Sequence, residues 1–103
     1  MATTIFLSKP SAMIPVANVF VPGLLQSAAQ AQFEDGAETV RLDYAVKGEA
    51  KSVMVEPRTE WEVTVTDAWD LVTETEVQDY AAHVREIGYL DAGRALDFIE
   101  SSS

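Results

Sequence analysis

Between Glu38 and Asp67 the chain reads as three strands in a row, in which side chains alternate between two faces, and this constrains the fold more than any other feature. In Glu38 to Lys47, Val40, Leu42, Tyr44 and Val46 share one side, and Thr39, Arg41, Asp43 and Ala45 the other. In Lys51 to Val55, Val53 and Val55 lie on one side. In Glu60 to Thr66, Trp61, Val63 and Val65 oppose Glu60, Glu62, Thr64 and Thr66. Alternation of this kind marks strands with one face buried and one in water. Lys47-Gly48-Glu49-Ala50 and Glu56-Pro57-Arg58-Thr59 are short connections, so an antiparallel meander is the simplest topology. Its apolar face needs a cover, which the rest of the chain has to supply.

Helical signals flank this sheet. After Thr73, Val77, Tyr80, Ala81, Val84 and Ile87 recur at the spacing of one amphipathic face. Thr73 and Glu76 stand at the separation of a capping box, and Gly88 ends the segment. Asp91 is a suitable N-cap for a last short helix, Ala92 to Glu100, with Ala95, Leu96 and Ile99 on its apolar face. Before the sheet, Leu24 to Phe33 carries Leu25, Ala29 and Phe33 at helical spacing, and Gly36 is a plausible C′ residue. The predicted architecture is one α+β domain. An antiparallel sheet of three to five strands is covered by one main amphipathic helix, Thr75 to Ile87, and flanked by two short ones.

The first third of the chain differs from the rest. The 103 residues carry a net charge of −10, with 17 acids against 7 bases. Before Glu34 the only charged side chain is Lys9. So apolar a segment is buried, either in its own fold or against another chain. Thr3 to Leu7 reads as a short β-prone run. Ser11 to Val21 is apolar but interrupted by Pro15 and closed by Pro22-Gly23, which rules out a central strand throughout. Within residues 1–21, Val16 to Val21 after Pro15 therefore reads as an edge strand, or the segment is an apolar arm, and an arm has to bury Met13, Ile14, Val16, Val19, Phe20 and Val21.

Composition removes several classes of chemistry. With no cysteine there is no disulfide framework, thiolate metal site or cysteine nucleophile. No apolar run approaches the roughly 20 residues that span a bilayer, and no secretory leader is evident, which points to a cytoplasmic protein. The acidic balance opposes direct binding to nucleic acid or an anionic membrane. There is no nucleophile elbow, dinucleotide fingerprint or P-loop. His83, the only histidine, has Asp79 four residues before it, which is also ordinary helix-surface pairing. Asp67, Asp70 and Glu74 lack the ligand pattern of a calcium loop. Glu60 and Glu62 share a strand face, where solvation by water accounts for them better than glycosidase chemistry, and Arg41 and Asp43 of the first strand are expected to meet them across the sheet, with Arg41 as the ion-pair partner.

No catalytic residue, cofactor or metal is expected. The sequence points to a non-enzymatic structural or assembly protein that works through protein–protein contacts, by self-association or within a larger assembly. A small virion component of the phage capsid or tail type has this size and layout, and would place the protein in the virion. The alternative is an acidic inhibitor or nucleic-acid mimic that fills a basic surface of a partner, with Glu60, Glu62, Glu74, Glu76, Asp79 and Glu86 as one stripe. The candidate contact residues are Ile14, Val16, Val19 and Phe20 in the arm, Trp69 between two acids, and Glu60 and Glu62.

Overall fold

The computed structural model describes residues 3–9, 11–16, 20–63 and 73–100. Among the described residues nine elements follow in order: β1 (Thr3–Ser8), β2 (Ala12–Val16), α1 (Val21–Glu34), β3 (Val40–Val46), β4 (Glu49–Val55), β5 (Glu60–Val63), α2 (Glu74–Ile87), β6 (Leu90–Asp91) and α3 (Ala92–Glu100). The fold is α+β. Val19, Trp69, Asp67, Asp70 and the predicted strand end Thr64 to Thr66 lie outside the described residues.

The strands make two three-stranded sheets instead of one meander. β3 and β4 form the predicted hairpin, from Val40 opposite Val55 to Val46 opposite Glu49. Its two-residue turn needs positive φ at both positions, and Lys47 and Gly48 adopt 51° and 82°. β6 adds to β3 in parallel, giving the order β4-β3-β6. β5 does not return to β4. It pairs antiparallel with β1, which pairs antiparallel with β2 on its other side. Thr59 supplies the physical reason. Its hydroxyl donates to the Lys9 carbonyl at 3.0 Å and accepts from the Glu56 amide at 2.9 Å. The turn before β5 is thereby fixed to the end of β1, and Thr59 is buried in the process.

β1 is thus a central strand, as its β-branched and aromatic residues favour. β2 lies at the sheet edge, where Pro15 is tolerated because that side needs no ladder donor. The strand occupies Ala12–Val16, earlier than the predicted Val16 to Val21, because α1 begins at Val21. Pro22 stands in the helix's first turn, where a missing N–H costs nothing. The helix closes on Gly36 at φ 103°, with Ala37 N–H bonded to Gln32 and Gly36 N–H to Phe33. This is the Schellman pattern.

α1, not α2, is the centre of the molecule. Val21, Leu24, Leu25, Ala28 and Ala29 are all buried, and the helix packs on α2 and α3 and touches β3 and β6. Being uncharged until Glu34, it can be surrounded on most sides. α2 was expected to lie across the sheet; it packs instead chiefly on α1 and α3, through Tyr80, Ala81 and Val84. Its predicted capping box is formed: Glu76 N–H donates to the Thr73 hydroxyl at 3.2 Å, and Thr73 N–H to the Glu76 carboxylate at 2.8 Å. The Asp91 carboxylate caps α3 by accepting from Gly93 and Arg94. The Tyr80 hydroxyl donates to the Asp91 carbonyl at 3.1 Å and accepts from its amide at 2.9 Å, tying α2 to β6.

Candidate functional site

The alternation of the first sheet decides which residues reach water. On β1, Thr3, Ile5 and Leu7 point into the core, and Thr4, Phe6 and Ser8 point out. On β2, Ile14 and Val16 are buried while Met13 and Pro15 are exposed. On β5, Trp61 and Val63 pack against the core and Glu60 and Glu62 face water. Strand geometry allows no other partition once Ile5 and Ile14 sit opposite each other inside.

The arm residues are therefore divided. Ile14 and Val16 are spent in the chain's own core, at 0% and 6% exposure, so they form no free docking surface. Phe20 is the N-cap residue of α1 and packs, half-buried, against the same core. Met13, expected to be buried with them, is 63% exposed instead. The signal was present in Met13-Ile14-Pro15-Val16: in a strand, Met13 and Pro15 must oppose Ile14 and Val16.

The outer side of this sheet has a graded composition. Phe6 stands opposite Met13 on one side and Glu62 on the other, making a continuous row across three strands. Thr4 stands opposite Pro15, and Ser8 opposite Glu60. The β2 side is apolar and the β5 side acidic. Shallow depressions of about 350 and 470 Å³ lie to either side of Phe6, one reaching Met13 and the other Glu60 and Glu62. Among the described residues neither glutamate makes an ion pair. Arg41, a candidate partner for them, pairs with Asp43 on its own strand at 2.9 Å and stacks over Tyr89 at 4.3 Å, in the other sheet.

The remaining candidates fall elsewhere. The His83 ring sits beside Tyr80 and Phe98, with centroids 6.4 and 5.1 Å away, and its Nε2 is buried without a hydrogen-bond partner. The Asp79 contact is not made. Burial pushes the Tyr80 phenol far above its ordinary value of 10.0, with its hydrogen bond to the Asp91 backbone acting the other way. Glu76 is buried in its capping box, which withdraws it from the proposed acidic stripe. Among the described residues no group of three or more metal-ligating side chains converges, and no helix is long and apolar enough to cross a membrane. Comparison with protein-family models, curated proteins and solved structures finds no match.

Proposed function

We propose that this chain is a non-enzymatic structural or assembly protein, and that the outer side of the first sheet is its contact surface. The row Met13–Phe6–Glu62 carries this reading. A strand face that only meets water is normally polar. Here an exposed methionine, a phenylalanine and a proline are contiguous, with carboxylates along one border. Apolar centres with polar rims are the usual anatomy of protein interfaces, and aromatic residues and methionine are enriched in them. The contact supplied by the N-terminal segment is thus made by its outward residues, while its inward ones hold the domain together. A capsid- or tail-type virion component is the class of assembly protein that suits the size of the chain.

The test compares the wild type with Met13→Glu in native extracts of the source, by size-exclusion with light scattering. The wild type should run above the mass of a single chain. Met13→Glu should run as a single chain while melting as the wild type does. A wild type that runs as a single chain in the native extract overturns the proposal.

A further inference from the structure

We propose that the outer side of the first sheet takes a basic and apolar segment of a different chain, and not a second copy of this one. This rests on the contact-surface reading above and names its partner by charge. Glu60 and Glu62 project from the same side of β5, about 7 Å apart by strand geometry. Neither forms an ion pair among the described residues, although Lys9 and Arg58 are near them along the strands and turn. Lys9 follows Ser8, which is opposite Glu60, and Arg58 pairs at 3.8 Å with Glu56. The face therefore presents two unanswered carboxylates beside Phe6 and Met13.

A second copy docking through this face would set its own Glu60 and Glu62 against the same plane, within a chain of net charge −10. Like charges brought together in this way oppose association, whereas a lysine or arginine reaching either glutamate favours it. The spacing also limits the partner. From β2 to β5 is two inter-strand steps, about 10 Å. The segment must carry an apolar side chain and a base on one face at about that separation. An extended peptide that repeats leucine, serine, lysine and serine places leucine and lysine alternately along one side, about 7 Å apart, within reach of flexible side chains.

The experiment titrates purified full-length protein with that fluorescent peptide and with its counterpart carrying glutamate for lysine. Saturable binding of the lysine peptide alone is expected, weakening as salt rises from about 0.01 to about 1 M and the Debye length falls from about 30 to about 3 Å. Glu60→Gln with Glu62→Gln should weaken binding by about 2- to 30-fold, the range for two exposed ion pairs. Glu74→Gln with Asp79→Asn removes the same charge from α2 and should leave binding within about twofold. Met13→Ser should weaken binding without changing its salt dependence. Equal losses in the two double variants, binding of the glutamate peptide, or no saturable binding would overturn the assignment. A wild-type dimer that Met13→Glu dissolves, in the absence of peptide binding, would keep the contact surface and overturn the basic partner. A wild type that runs as a single chain in the native extract and binds neither peptide would remove both.

Discussion

Truncation to alanine should cost much stability at Ile14 and almost none at its neighbour Met13. Ile14 is fully buried and sits opposite Ile5 across the β1–β2 ladder. Truncating a buried isoleucine to alanine costs about 2–5 kcal/mol, from lost transfer energy and the cavity left behind. A domain of this size has about 5–15 kcal/mol in total. Each kcal/mol moves the melting temperature by about 4–8 °C. Taking about 3 kcal/mol, Ile14→Ala should melt about 12–24 °C below the wild type. Met13→Ala removes a mostly solvated side chain, so its effect should stay within about 0.5 kcal/mol, or about 4 °C. The assay is thermal unfolding by far-UV circular dichroism, with light scattering on the same samples. Ile14→Ala melting with the wild type would refute the burial argument. If it instead lowered only the solution mass, the segment would be docking on another chain.

Three further substitutions probe local features. Tyr80→Phe leaves the amide and carbonyl of Asp91 without their shared partner and should cost about 1–3 kcal/mol by chemical denaturation. The phenol's proton is held more tightly folded than unfolded, so this stabilisation is full below pH about 10 and is lost as pH rises beyond it. The variant should show a flatter alkaline decline, and an unchanged pH profile would contradict the burial. Thr73→Ala removes one arm of the capping box and should cost about 1 kcal/mol, read as a lower denaturation midpoint with an unchanged slope. Lys47→Asn, at a left-handed position beside Gly48, should raise stability by up to about 1 kcal/mol, and a loss would argue against the two-residue turn.

Much of the local structure was legible because local rules govern it. Thr73 with Glu76, Asp91 ahead of α3, and Gly36 and Gly88 after their helices are signals complete within a few residues, and each is realised. The hairpin from Val40 to Val55 was legible for the same reason. Strand partnership was not. β5 joins β1 through Thr59 and Lys9, fifty positions apart, and no short-range pattern reports such a bond. The role of α1 was hidden because a helix buried on most sides loses the one-faced periodicity that advertises α2. In the candidate site, Glu60 and Glu62 could be read from alternation alone. Phe6 and Met13 required knowing that β1 and β2 belong to the same sheet as β5, since only then do they fall in one row with Glu62.

Two exposed methionines give a built-in comparison for the proposed contact surface. Met13 lies on the outer side of the first sheet at 63% exposure, and Met54 on the edge strand of the second at 48%. Both are open to oxidation to the sulfoxide in the isolated protein. The decisive measurement is brief peroxide footprinting, read by mass spectrometry, of the purified chain and of the chain in its native extract. Met13 should oxidise in the purified chain and be protected in the extract, with Met54 oxidised in both. Equal oxidation of Met13 in the two samples, or protection of Met54 alone, would contradict the first sheet as the contact surface.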